Sequence, residues 1–356
     1  MLALTVACCV TGIADAQENA TWSANPAPPS SFNDPNNWTP TVVPTGTAFF
    51  GATSTNGAAP LIFSNTSVDQ ITFTSLAPEY SIGVLGGATL EITGAGGITN
   101  ESSNRQNIVI LSGGTLLFEN STAGNNTIGY GNRGGTITFD NSTAGGAIFE
   151  NQNSGNIDFI NSNAGSAVIS NDVGAGTVTF QGASSAANAT INNTSSGGGT
   201  VVFTDTSNAG NSVITNFAAS GVITFESSSN AGTASINNTG GGGTINFLGS
   251  SDAGSALITN SAGGVVNFED SSSADLATVN NSGTLNFSGN STAGSAIITT
   301  NNGGLTKFFD ASTGGQARFI TNSGGVFDIS PLTATGMTAG SIEGAGNYFL
   351  GSKQLT

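Results

Sequence analysis

Residues 246–260 read NFLGSSDAGSALITN, and the chain keeps returning to that phrase. Residues 286–301 read NFSGNSTAGSAIITTN, and residues 158–171 read DFINSNAGSAVISN. Phenylalanines mark the period. Phe118, Phe139, Phe159, Phe180, Phe203, Phe225, Phe247, Phe268, Phe287 and Phe308 follow one another at intervals of 19–23 residues. Two residues before nearly every one stands an aliphatic (Leu116, Ile137, Ile157, Val178, Val201, Ile223, Ile245, Val266, Leu285), with mostly Thr, Asn, Asp, Glu or Ser beside them. That alternation predicts a short strand with one face buried, closed by the Phe.

A second apolar pulse follows: Ala147/Ile148, Ala167/Ile169, Ala189/Ile191, Ala234/Ile236, Ala256/Ile258 and Ala277/Val279. Ser, Thr, Ala and Gly lie between the pulses, and Asn with a Gly-rich turn follows the second. Each unit is thus strand, turn, strand, turn. One unit alone buries too little surface to fold, whereas stacked units share hydrogen bonds and apolar contacts. The predicted fold is all-β, a right-handed single-stranded parallel β-helix (β-solenoid) of about 20–23 residues per coil. The ten phenylalanines would stack inside it as a ladder.

A second ladder is predicted from Asn151, Asn171, Asn193, Asn216, Asn238, Asn260, Asn281, Asn301 and Asn322, which recur at one place in successive units. Stacked amides can bond to one another along the axis, and Asn tolerates a left-handed corner. A structural role is expected for this row in preference to a binding surface.

Residues 61–112 read as less regular coils of the same kind, with alternation at Leu61/Phe63, Ile71/Phe73, Leu90/Ile92 and Ile108/Ile110. With regular repeats over 113–330, roughly 13 coils and a rod on the order of 60 Å are expected. Residues 17–60 hold Trp22, Trp38 and six prolines before residue 51. They read as a cap over the open sheet edge. At Leu305-Thr306-Lys307-Phe308-Phe309 the pattern slips, which suggests a β-bulge at Lys307. Residues 331–356 read as a further segment of the same architecture or a truncated C-terminal end.

The first 16 residues, MLALTVACCVTGIADA, are apolar and end in a small-x-small pattern. They read as a secretory signal peptide cleaved after Ala16, incomplete at its start because no basic residue precedes the apolar run; a buried strand is the alternative. Both cysteines, Cys8 and Cys9, lie inside it. The mature chain would be free of disulfide chemistry, which suits export. No later stretch reaches the roughly 18 apolar residues of a membrane span.

Composition narrows function further. The chain has five cations, 21 acidic residues, no histidine and a net charge of −16. Cations so few and scattered cannot neutralise a nucleic-acid backbone, so nucleic-acid binding is excluded. Without histidine, Ser-His-Asp and Cys-His catalysis is excluded, and with no mature cysteine so is a zinc site of the usual kind. No cofactor is expected. The acids Glu119, Asp140, Glu226, Glu269 and Asp310 could form one outward row, able to hold calcium or act as an acid–base pair. Ile160, Gln181, Thr204, Leu248, Ser288 and Phe309 interrupt it, so a solubilising face is expected. Thr-x-Thr at 136–138 and 177–179 is not sustained in other coils, which argues against an ice-binding face.

The opening ATWSANPAPPSSFNDPNNWTPTVVPTGTAFFG (20–51), the repeated GTxxF…STAG(N/S)AxIxNN units and the tail GMTAGSIEGAGNYFLGSKQLT (336–356) carry a family likeness. The chain resembles the passenger domains of bacterial (type V) autotransporters with autotransporter-associated β-strand repeats. The resemblance implies a right-handed β-helix exported by a Gram-negative cell and displayed at or beyond the outer membrane. It also implies a C-terminal β-barrel translocator as partner. The chain lacks such amphipathic strands up to Leu355-Thr356, so a passenger fragment or a truncated product is expected. The function that follows is a non-enzymatic surface rod, stalk- or adhesin-like, touching surface glycans or proteins of a host or the environment. The alternative is a polysaccharide-binding or polysaccharide-degrading β-helix. Its one sequence pointer is the irregular TNESSNRQN (99–107), with Glu101 and Arg105.

Overall fold

The computed structural model describes residues 17–53, 59–194, 197–217, 219–239 and 241–356. The proposed signal peptide lies outside them. The chain winds into a right-handed parallel β-solenoid of about 14 turns, roughly 22 residues per coil. At about 4.8 Å per rung the rod is on the order of 65 Å long.

Each regular coil contributes a strand to each of two sheets. In the phenylalanine sheet, strands such as Thr200–Phe203, Val222–Phe225 and Thr244–Phe247 alternate half-buried and buried residues, as period 2 demands. They pair in parallel, residue for residue, so that Val201 faces Ile223 and Phe203 faces Phe225. In the asparagine sheet, Thr190–Asn193, Val213–Asn216 and Ser235–Asn238 do the same, Ile191 facing Ile214 and Asn193 facing Asn216. A one-residue slip would expose every Phe, which is why burial pins the register.

Between the sheets runs a third, narrow line of parallel bridges, through Thr122, Thr143, Asn163, Ser185, Asn208, Asn230 and Asp252 to Thr313. Alanines from this line (Ala144, Ala164, Ala186) are fully buried, because only small side chains fit where the two sheets converge. The corner after each Phe needs a left-handed residue. Asn120, Asn141, Asn161, Asp205, Ser227, Asp270 and Asp310 supply it with φ of 48–60°, and Gly182, Gly249 and Gly289 supply it in the other three coils.

The expected bulge at Lys307 is not there. Leu285 pairs with Thr306, Asn286 with Lys307 and Phe287 with Phe308, without an extra residue. Instead Leu305 points outward and Thr306 takes the buried aliphatic position. Its Oγ1 lies 2.6 Å from Oγ1 of Thr300, so the two buried hydroxyls satisfy each other. The register shift between paired strands lies instead at Val68/Gln70, where Thr66–Phe73 meets the long strand Thr89–Asn100.

At the N-terminal end Ala20–Trp22 pairs antiparallel with Trp38–Thr39 and parallel with Thr47–Phe50, which starts the phenylalanine sheet. Trp22, Phe32, Trp38 and Phe50 pack as a tilted and edge-on cluster; Trp22 and Trp38 have centroids 5.0 Å apart at 76°. At the other end Ser341–Glu343 and Asn347–Phe349 add one more strand to each sheet.

Candidate functional site: ladders inside, rows outside

The ten phenylalanines are fully buried and stack ring on ring. From Phe118 to Phe308 the nine steps have centroid separations of 4.5–4.9 Å and interplanar angles of 3–7°. That spacing is the strand spacing, so backbone pairing sets the ring separation and identical rotamers keep the planes parallel. Across the core Tyr130 and Phe149 form a second, two-ring stack at 4.7 Å and 11°. The Tyr130 hydroxyl donates to the Ala123 carbonyl at 2.7 Å, and complete burial pushes the phenol well above its ordinary range.

Asn171, Asn193, Asn216, Asn238, Asn260 and Asn281 lie buried in one row, which Asn132 and Asn151 extend towards the N-terminus. Each Nδ2 donates to Oδ1 of the next, at 2.8 Å from Asn132 to Asn151, 2.7 Å from Asn193 to Asn216 and 2.9 Å from Asn260 to Asn281. The same Nδ2 atoms reach backbone carbonyls, as Asn151 does to Thr177 at 3.1 Å. All donors point one way along the axis, an arrangement in which each bond polarises the next. The glycine that opens the following strand makes room for it. A Cβ at Gly199 would sit 2.4 Å from Asn193 Oδ1, and one at Gly176 would sit 2.5 Å from Asn151 Nδ2.

Three placements differ from expectation. Asn301 and Asn322 stand one residue beyond the row; the buried positions there belong to Thr300 and Thr321, and Asn322 donates to Asn301 at 3.0 Å on the outside. Counting by two from Ile298 and Phe319 finds the threonines. By the same count Phe149, not Ile148, follows Ala147 into the core. Asp310 takes the left-handed corner, so Phe309 occupies the place after Phe308.

A serine row had no strong sequence signal because it hides among other small residues. Ser142, Ser162, Ser184, Ser251 and Ser312 are buried, and their hydroxyls donate to carbonyls of Phe118, Phe139, Phe159, Phe225 and Phe287. Equivalent hydroxyls at Ser207, Ser229, Ser272 and Ser291 find no partner, so size as much as bonding keeps serine there.

Outside, the acids scatter. Glu119 and Asp140 are register neighbours, but Ile160 and Gln181 come next. Glu226 and Glu269 are separated by the coil carrying Leu248. Asp158 lies beside Thr179; burial lifts its carboxyl above the ordinary range, against a hydrogen bond from that threonine. Among the described residues no group of three or more His, Cys, Asp or Glu is placed to hold a metal, and no helix is long and apolar enough to cross a membrane. Glu101 and Arg105 sit on an irregular turn after Asn100, held by the buried Gln106. The Gln106 Nε2 donates to the carbonyls of Pro78 and Asn104, and its Oε1 accepts the Tyr80 N–H.

The fold and its ladders define a β-helix protein, a class that includes autotransporter passengers among others. No family model, curated protein or solved structure matches the chain.

Proposed function

We propose that the chain is a non-enzymatic rod exported to the surface of a Gram-negative cell, the stalk- or adhesin-like passenger part of an autotransporter. The observation that carries this reading is the uniformity of the regular coils: nine near-identical stacking steps between Phe118 and Phe308. Repetition adds length and valency without building a unique constellation of reactive groups, as spacers and many-point binders require. The small-x-small run Ala14-Asp15-Ala16 and the lack of cysteine after residue 9 also support export. A β-barrel translocator is the partner this reading requires, with surface glycans or proteins as what the rod meets.

The reading is tested by labelling intact cells that produce the chain from its native gene with antibody against the folded rod. Labelling of unbroken cells, abolished by external protease, is the expected result. Labelling only after the outer membrane is permeabilised would overturn it.

A further inference from the structure

One strand of the asparagine sheet lacks two of its outward side chains. In strand Ile128–Arg133 of the asparagine sheet, Ile128, Tyr130 and Asn132 point inward, which leaves Gly129, Gly131 and Arg133 outward. Neighbouring strands carry side chains at these positions: Asn107 and Val109 on one side, Ile148 and Glu150 on the other. The bare backbone at Gly131, next to Gly129 buried under another side chain, lines a depression of about 410 Å³ in the sheet's outer face. That volume falls within the range of small-molecule sites.

Its rim is polar and built. Arg105 leaves the turn pinned by Gln106 and lays its guanidinium over Gly129, where a Cβ would fall 2.5 Å from Nη2. Arg133 stands beside Gly131 in the strand, and Glu79 and Glu150 also line the depression. Glu79 Oε1 accepts from Asn107 Nδ2 at 2.8 Å, which fixes both groups. Two of the chain's five cations therefore line this depression, one towards each end of the strand, in a protein of net charge −16. Among the described residues the ion pairs are Lys307–Asp328 and Arg318–Glu343, and neither involves these two arginines.

We infer that this depression binds a carboxylate-bearing saccharide. A guanidinium offers the planar two-donor fork that matches a carboxylate. Glu79, Glu150 and Asn107 around a flat backbone floor suit the hydroxyls of a sugar ring. A polyanion would meet both glutamates and the acidic field of the rod, so an isolated acidic group on a hydroxyl-rich ligand fits better. The inference goes beyond the rod reading and does not rest on it. It is tested with purified full chain, whereas export is tested on cells.

Sialyllactose and glucuronate, each with a single carboxylate, are titrated into the chain by calorimetry, with lactose and glucose as neutral controls. At least one acidic sugar should bind saturably, and on the order of tenfold tighter than its neutral control. Gly131→Val fills the floor at a point where the nearest atom to a new Cβ is 3.9 Å away, so the fold should tolerate it. This change and the double variant Arg105→Gln/Arg133→Gln should each weaken binding by on the order of tenfold or more, and Arg318→Gln should leave it unchanged. The two arginines are exposed, so the double variant remains decisive if the glycine variant unfolds. Acidic sugars binding no tighter than neutral ones, or affinity unaltered in the double variant, would overturn the inference.

Discussion

The coils between Leu116 and Phe308 and those between Ala20 and Gln106 solve one problem in opposite ways. In the former each coil repeats its predecessor, so Phe meets Phe at 4.5–4.9 Å and Asn meets Asn, and each contact is one of many like it. In the latter aliphatics still pair, as Ile71 does with Ile98, but the aromatic and polar contacts are singular. Phe50, Phe73 and Tyr80 pack at mixed angles of 29–66°, the Tyr80 hydroxyl donates to the Gly51 carbonyl, and Gln106 and Asn104 tie a turn to the coil before it. Burial pushes the Tyr80 phenol up to about 12, against a hydrogen bond from Thr53. Repetition gives length and a near-uniform outer face; singular contacts give the bends, turns and depressions where a specific ligand could sit.

The largest break should come from the repeated part. Phe203→Ala with Phe225→Ala removes two adjacent rings from a fully buried stack. A loss of roughly 5–8 kcal/mol is expected, less than additive if the cavities merge. Thermal unfolding should then separate into two transitions, because the remaining coils lean only on their neighbours. Next comes Asn216→Ala. It strips the acceptor of Asn193 and the donor to Asn238, Gly221 and Thr244, and should cost about 2–4 kcal/mol in denaturant unfolding.

Gln106→Ala sharpens the contrast. It should cost about 1–3 kcal/mol and act locally, raising amide exchange around residues 100–106 while leaving the coils beyond Phe139 protected. The smallest effect belongs to Asp158→Asn. Burial raises the Asp158 carboxyl in the folded state, so the folded chain holds that proton more tightly than the unfolded chain. Its stabilising contribution is complete in acid and is lost as pH rises through the folded value, leaving the ionised group a cost at neutral pH. The variant should melt slightly higher than the parent near neutrality, and the difference should vanish in acid.

What the sequence made legible follows the same divide. Period-2 alternation with a 19–23-residue recurrence sufficed for the two sheets and the Phe ladder, because burial on one face admits a single register. The Asn row was readable from Asn151 to Asn281 and misread at Asn301, where Thr-Asn offers two polar candidates and only the parity from Ile298 decides. Thr306 was misread for a related reason. Its burial depends on Thr300, a partner six residues away that no local pattern ties to it. The arginine-lined depression was visible only as an irregular turn holding Arg105. Bringing Arg105 over Gly129, in the strand that ends at Arg133, requires the in-register pairing of strands 106–111 and 128–133.

In this fold one repeat is one coil, set in register on the next. Removing residues 222–243 joins Gly221 to Thr244, which already occupies the position of Val222 one rung along. Its thermal unfolding is the direct test, beside a chain lacking residues 222–232 alone. The whole-coil deletion should fold, melt cooperatively near the parent and shorten the rod by about 4.8 Å, whereas the half-coil deletion should collapse the sheets around it. Equal loss of structure in both would mean that a repeat is not one coil.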